Sequence, residues 1–255
     1  MSALAIVLGL AIGVIVGAVG GGGAILALPV LVYVLGEPVG PASTASLVVV
    51  SVAAAIGAGE LARHGRVCWR LAFTFAAPAV LGSIVGTAAS HEIGGRALIL
   101  AFIPVMLLAA VLTWRNAGEG GEGGPCPEPP LPRTAGAGLL VGMLTGFFGV
   151  GGGFVIVPVL TVWLGAPFRR AVATSLVIIT ITGIAALASH LAAGSRPDLA
   201  ITVSLSLATG VGALLGTRVA ERVPQASLRR GFALLVAAVA LALLVDALVL
   251  GGPPR

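Results

Sequence analysis

Apolar residues fall into ten runs along the chain, each bounded by Gly, Pro or charged residues. A membrane span needs about 20 apolar residues, so ten segments with their turns account for the whole length and leave no room for a separate soluble domain. We therefore predict an all-α integral membrane protein. The runs lie at about 3–19, 24–36, 42–60, 70–89, 96–114, 135–148, 153–165, 171–192, 199–217 and 229–250.

The stretch between the fifth and sixth runs has a different composition. Residues 115–133 contain three Glu among closely spaced Gly and Pro, which neither a helix nor a bilayer core tolerates. We interpret this stretch as a flexible linker. The predicted organisation is a first membrane repeat, a cytoplasmic linker and a second membrane repeat, with bounds 1–114, 115–134 and 135–255.

The two halves are copies of each other. At an offset of 129 positions, residues 9–50 align with 138–179 without a gap, and 17 of the 42 pairs are identical. The identities include many Gly and Pro, which predict a matched backbone shape rather than a shared apolar composition. They are Gly9/Gly138, Gly13/Gly142, Gly17/Gly146, Gly20/Gly149, Gly22/Gly151, Gly23/Gly152, Pro29/Pro158, Gly36/Gly165 and Pro38/Pro167.

Composition supports the membrane class. Of the 255 residues, 58% are hydrophobic and 9% are charged, and the mean hydropathy is +1.14, whereas soluble domains carry about 25% charged residues. The net charge of +5 does not indicate nucleic-acid binding, because the basic residues are all Arg and lie in short loops. Cys68 and Cys126 fall in loops predicted to be cytoplasmic, so we expect free thiols. The N-terminus lacks a basic signal-peptide region and is predicted to be a retained helix.

The arginines predict that the halves have opposite orientations. Residues 63–70 carry three Arg, whereas the equivalent loop near 195–198 carries one Arg and one Asp. Conversely, residues 37–41 have no Arg, while their counterpart holds Arg169 and Arg170. Because arginine-rich loops stay in the cytoplasm, we predict an inverted repeat with both termini periplasmic. This arrangement leaves 11 of the 14 Arg inside.

The first two runs of each half flank a glycine cluster. The runs at 135–148 and 153–165 reach only about 20 Å as helices, so each pair is either a re-entrant hairpin or a pair of full, tilted spans. Consecutive glycines expose backbone N–H groups beside a helix end and attract anions. In inverted halves the two clusters meet near the midplane, as in many transporter binding sites. The candidate substrate-binding glycines are Gly20, Gly21, Gly22, Gly23, Gly149, Gly151, Gly152 and Gly153.

Other glycines and the hydroxyl side chains have competing interpretations. The Gly-xxx-Gly series at Gly9 and Gly138 favours close helix packing over ligand binding. Ser46, Thr174 and Ser175 are further candidate substrate-binding residues, and together with Thr44 they are alternatively helix caps in the first turns of the third and eighth runs.

Charged and metal-binding side chains are scarce in the spans. Glu60 and Asp246 are candidates for proton coupling, although both lie close to a span end, where exposure at the interface is an equally good explanation. The three His are far apart and lack the spacing of metal ligands. We predict no metal site and no cofactor.

At these residues the sequence resembles the sulfite exporter TauE/SafE family of bacterial membrane permeases. The resemblance rests on a twice-occurring Gly cluster, a Pro about six residues on and a Ser-Leu pair: GGGGAILALPVL with Ser46-Leu47, and GVGGGFVIVPVL with Ser175-Leu176. It implies transport of small anions, chiefly sulfur oxyanions, sulfonates or small organic acids, across the inner membrane.

The leading hypothesis is therefore a secondary permease for a small anion, embedded in the lipid bilayer. A non-transporting membrane scaffold or assembly factor is the alternative, and it predicts dispensable cluster glycines with sensitivity at the packing series instead. An intramembrane enzyme is disfavoured because no nucleophile with a base, no pair of acids and no metal set occurs at membrane depth. The sequence leaves open the anion, the direction, the coupling ion and the oligomeric state.

Overall fold

A computed structural model shows an all-helical chain. It describes residues 2–21, 24–37, 39–90, 95–115, 124–148, 153–192 and 198–245. Five of the described helices are long and apolar enough to cross a membrane. The helices are α1 (Ser2–Val19), α2 (Ala24–Pro29), α3 (Val39–Arg63), α4 (Trp69–Ser90), α5 (Gly95–Arg115), α6 (Leu131–Phe148), α7 (Gly153–Pro158), α8 (Phe168–Ala192), α9 (Leu199–Arg222) and α10 (Gln225–Val245).

The second helix of each half shows the sequence duplication in its backbone. Both α2 and α7 end at a proline and continue as one π-helical turn, Val30–Val34 and Val159–Trp163. The turns close with equivalent hydrogen bonds, from Leu35 N to Val30 O and from Leu164 N to Val159 O, each 3.0 Å long. The glycine that follows has a positive φ in both copies, +74° at Gly36 and +72° at Gly165, a conformation that favours glycine. Matched glycines and prolines thus produce matched backbone shapes.

Each half packs its first helix against the fourth helix of the other half. In α1, Gly13 lies against the backbone of Thr209 and Gly17 against Ala213, both in α9. In α6, Gly142 lies against Ala79 and Gly146 against Ser83, both in α4. Residue numbers rise together along both pairs, so the paired helices are parallel. The packing role predicted for these glycines is confirmed, and their partners lie across the duplication.

The remaining contacts also join the halves. Equivalent helices α3 and α8 pack antiparallel, since Gly57 lies against Leu176 and Gly183 against Ser51. Helix α5 packs on its counterpart α10. The buried core lies between these helices and includes Phe75 and Phe154, while many large apolar side chains elsewhere on the spans are exposed, as expected for a surface covered by lipid.

Most arginines gather at one end of the helix bundle, which we term the arginine-rich end. It contains the ends of α3, α5 and α9 and the beginnings of α4, α6, α8 and α10, joined by ion pairs from Arg66 to Glu221 and from Arg70 to Glu128, each 3.0 Å. Arg170 also donates to Gly65 O. The arginines at this end are Arg63, Arg66, Arg70, Arg115, Arg133, Arg169, Arg170, Arg218, Arg222, Arg229 and Arg230.

The expectation of free cysteine thiols is wrong. Cys68 and Cys126 form a disulfide bond across a sequence separation of 58 residues. The physical reason is that the segment 124–130 folds back onto the arginine-rich end: Arg170 donates to Gly124 O at 2.8 Å and to Cys126 Sγ at 3.4 Å. This contact brings the second thiol to the beginning of α4, although its surrounding composition predicts a flexible linker.

We expect Gly142→Ala to destabilise the protein by about 3 kcal/mol, because its Cβ would overlap the Ala79 carbonyl and force α4 away from α6. The control is Gly136→Ala in the same helix, where an added Cβ meets nothing within 4 Å. The control is expected to be neutral or slightly stabilising, since alanine has the higher helix propensity. Thermal unfolding of the purified protein in detergent measures both, and equal shifts would contradict the packing role.

Candidate functional site

The described glycines of the two clusters meet inside the helix bundle. Gly20 and Gly21 directly follow α1, and Gly153 begins α7. The backbones of Gly21 and Gly153 are in direct contact, so that a Cβ on either residue would overlap the other. Gly20 turns the chain at φ +80°, which side-chain-bearing residues rarely adopt. The contact therefore requires glycine at Gly21 and Gly153 because of their close approach, and at Gly20 because of its positive φ.

A serine hydroxyl from α8 adjoins this contact. Ser175 is fully buried, and its Oγ donates to Val172 O at 2.8 Å. A Cβ placed on Gly20 would come within 2.6 Å of Ser175 Oγ and 3.2 Å of a Val157 methyl group. Glycine at position 20 thus lets the hydroxyl approach the backbone. We term Gly20, Gly21, Gly153 and Ser175 the glycine contact site.

The glycine contact site lies within the length of the surrounding spans. Gly17, in the last turn of α1, is level with Ala213 of α9. Gly20 lies about one turn further toward the arginine-rich end, and α9 continues beyond that level to Arg222, a distance of about 9 Å at about 1.5 Å per residue. The break after α1 is consequently recessed from the end of α9.

The site offers backbone and hydroxyl groups rather than charged side chains. The nearest side-chain and backbone neighbours of Gly20 come from Ser175, Val157 and Val172, and those of Gly21 come from Gly153. Within the described part of the chain, no group of three or more His, Cys, Asp or Glu is placed to hold a metal ion. Uncharged N–H and O–H donors in an apolar surrounding stabilise an oxyanion without a permanently paired cation. In the described conformation the Gly20 N–H donates to Val16 O and the Ser175 hydroxyl to Val172 O, so an anion would replace these carbonyls as the acceptor.

Two of the other predicted hydroxyl residues lie away from the described glycine contacts. Thr174 is fully buried and its Oγ1 accepts a 3.1 Å hydrogen bond from the Cys68 backbone N–H, so it joins α8 to the disulfide. Ser46 Oγ donates to Ser43 O within α3. The predicted helix-capping role is wrong for Ser46, Thr174 and Thr44. Helix α3 begins at Val39 and α8 at Phe168, so each of these residues lies more than a full turn inside its helix.

The acidic candidate Glu60 sits at the arginine-rich end. Its side chain lies 3.9 Å from Arg63 in the last turn of α3, and its backbone carbonyl is hydrogen-bonded to the His64 ring. Proton coupling through Glu60 stays a prediction. Six further predicted residues lie outside the described residues: Gly22, Gly23, Gly149, Gly151, Gly152 and Asp246.

The helices of the chain define the class of protein to which it belongs. Several membrane-length helices and shorter apolar helices make the chain a multi-pass helical membrane protein. Comparison with known proteins then specifies the family. The family model described as "Sulfite exporter TauE/SafE" matches residues 5–243, and the chain belongs to this family.

Relatives extend across bacteria and archaea. The chain is 34% identical over 239 residues to a protein of Xylella fastidiosa (strain Temecula1) named "Probable membrane transporter protein", with 90% of each chain covered. A protein of strain 9a5c with the same name is 33% identical over the same length and coverage. A probable membrane transporter protein of Methanocaldococcus jannaschii is 27% identical over 198 residues, covering 76% of this chain and 73% of that protein. No solved structure matches the chain.

Proposed function

We propose that the protein is a secondary transporter that moves a small anion across the bacterial inner membrane and binds it at the glycine contact site. The substrate class is a sulfur oxyanion, a sulfonate or a small organic acid. The observation that carries the proposal is the backbone contact between Gly21 and Gly153 beside the Ser175 hydroxyl, because it joins the breaks of two interrupted helices from different halves of the chain.

The relation between the halves supports a transport mechanism. Equivalent helices α3 and α8 run antiparallel, and each first helix packs on the other half's fourth helix. This is the arrangement expected of an inverted repeat, in which movement of one group of helices against another exposes a central site to each side in turn. The orientation that goes with it places the arginine-rich end in the cytoplasm and both termini in the periplasm.

We expect Ser175→Ala to lower the initial rate of oxyanion uptake at least about tenfold, since one charge-assisted hydrogen bond is worth about 1.5–3 kcal/mol. The protein should stay folded, because the hydroxyl's described bond is to a carbonyl of its own helix. Uptake of sulfite, and separately of thiosulfate, into proteoliposomes containing the purified protein measures the effect.

The matched control is Thr182→Val, two turns further along α8. Thr182 is also buried and likewise donates to a carbonyl of its own helix, Ile178 O, but it has no place in the glycine contact site. We expect the control to transport at close to the unmodified rate. Equal activity of Ser175→Ala and Thr182→Val would contradict the site, and absence of transport by the unmodified protein for every anion in the proposed class would contradict the function.

A further inference from the structure

A cavity opens beside the glycine contact site, on its side toward the arginine-rich end. Gly17 and Ala18, in the last turn of α1, form its inner wall. Val172 also lines it, and the Val172 Cα lies 3.5 Å from where a Cβ of Gly20 would stand. The cavity and the glycine contact site thus share a wall. We term this cavity the basic mouth, after the side chains that surround its outer part.

Positive charge dominates the outer part of the basic mouth. Arg66 and Arg169 line it directly, and Arg229 stacks on the ring of the lining residue Phe168, with 5.0 Å between the guanidinium carbon and the ring centroid. The acidic side chain found here is Glu221, paired with Arg66 at 3.0 Å. The charges of Arg66 and Arg169 together exceed the single negative charge of Glu221, which leaves a net attraction for anions, and the apolar walls strengthen it.

The two lining arginines are held differently. Arg169 is fixed, since it donates to Ala220 O at 3.1 Å and to Val223 O at 3.3 Å at the end of α9. Arg66 is held by a carboxylate whose side chain is 39% exposed, and a pair of that kind contributes little stability and exchanges readily with other ions. An arriving oxyanion can therefore replace Glu221 as the partner of Arg66 without a large loss of free energy.

The described conformation is too narrow to pass a substrate. The cavity has a volume of about 20 Å³, which holds one water molecule but no oxyanion. Its lining includes the apolar side chains of Leu61, Val172 and Leu228. The face of α10 that carries Leu228 also carries Gln225, whose buried side-chain amide has no hydrogen-bond partner among the described residues. A closed passage with a separable ion pair at its outer end has the features of a gate.

We propose that the basic mouth is the route by which the anion reaches or leaves the glycine contact site at the arginine-rich end. Arg66 and Arg169 attract the oxyanion and select against cations, and separation of Arg66 from Glu221 accompanies opening. This proposal rests on the proposed function and adds residues that touch the substrate on its path. It follows from the position of the cavity between the arginines and the site, rather than from the glycines themselves.

The first test compares charge variants in proteoliposomes with sulfite and thiosulfate as substrates. Arg66→Gln and Arg169→Gln are each expected to raise KM about tenfold, because electrostatic attraction of this kind changes association rates by about 10- to 1000-fold. Glu221→Gln is expected to lower KM about two- to threefold, since the competing carboxylate is removed. Opposite shifts from the two partners of one ion pair distinguish attraction of the anion from loss of a structural bond.

Arg70→Gln and Glu128→Gln are the matched controls. Arg70 and Glu128 form an ion pair of the same 3.0 Å length at the same end, but both side chains are mostly exposed. We expect a KM within about twofold of the unmodified value for both, because exposed pairs contribute little. If Arg66→Gln and Arg169→Gln have the same KM as these controls in a protein that transports, the proposed role of the basic mouth is wrong while the proposed function stands. Failure of the unmodified protein to transport would instead overturn the proposed function.

A second test maps the cavity wall without removing charge. Ala220→Cys places a thiol on the lining of the basic mouth, and Val219→Cys places one on the neighbouring exposed position of α9. A negatively charged methanethiosulfonate is expected to inhibit Ala220→Cys and leave Val219→Cys active, and thiosulfate should slow the inhibition. Inhibition of both variants, or of neither, would overturn the assignment of this cavity as the passage.

Discussion

Gly21→Ala is expected to abolish transport in a protein that still inserts and folds. An added Cβ at position 21 would overlap the backbone of Gly153, so the two chain breaks have to move apart and the donors that face a bound anion lose their mutual placement. Displacements of this order reduce activity about a hundredfold in preorganised sites. Initial uptake rates of sulfite and thiosulfate, together with elution as a single species in size-exclusion chromatography, measure the effect.

Two further glycines are controls for this variant. Gly59→Ala in α3 adds a Cβ that meets nothing within 4 Å, and it should leave the uptake rate unchanged. Gly13→Ala disturbs the packing of α1 on α9, so it should lower thermal stability more than it lowers the activity of the folded fraction. A membrane scaffold would show the reverse order, with Gly21 dispensable and Gly13 essential. Transport at the unmodified rate by Gly21→Ala would contradict the glycine contact site.

The sequence predicts local backbone shape well where glycine and proline recur. The paired residues Pro29/Pro158 and Gly36/Gly165 indicate equivalent conformations, and the structure shows equivalent turns with positive φ at both glycines. Such residues act on their own backbone, through a ring that fixes φ or through the absence of a Cβ. Their structural effect is consequently visible without knowledge of any distant contact.

The sequence does not predict which distant segments contact each other. The packing faces at Gly13 and Gly142 indicate a close neighbour, but nothing in their spacing says that the neighbour is the fourth helix of the other half. Likewise Arg66 and Arg169 are far apart in the sequence and read as ordinary loop charges. Their common position around the basic mouth follows from the antiparallel packing of α3 and α8, which brings the end of one helix to the beginning of the other.

The disulfide bond is the clearest case of a missing long-range signal. The residues around Cys126 are Gly, Pro and Glu, a composition typical of linkers. What holds this segment is Arg170, which donates to the Gly124 carbonyl and the Cys126 sulfur from the first turn of α8. Together with the ion pair between Arg70 and Glu128, these contacts from outside the segment position a linker whose own residues favour no fixed structure.

Loss of the disulfide bond is expected to lower the apparent Tm by about 5–10 °C. It closes a loop with a sequence separation of 58 residues, for which chain entropy gives a stabilisation of about 4 kcal/mol, and measured values are commonly about 2–4 kcal/mol. Cys68→Ser, Cys126→Ser and treatment of the unmodified protein with a dithiol reductant should all produce this shift. The double variant is the control, since the reductant should not change its Tm. A reductant effect on the double variant, or no effect on the unmodified protein, would contradict the contribution of the bond.

The arginines predict the orientation of the chain in the membrane. Eleven of them lie at one end of the helix bundle, so we expect the arginine-rich end to face the cytoplasm. A reporter fused after Gly65 should be cytoplasmic and one fused after Gly194 periplasmic. A periplasmic Gly65 reporter together with a cytoplasmic Gly194 reporter would reverse the orientation and assign the basic mouth to the outer side of the membrane.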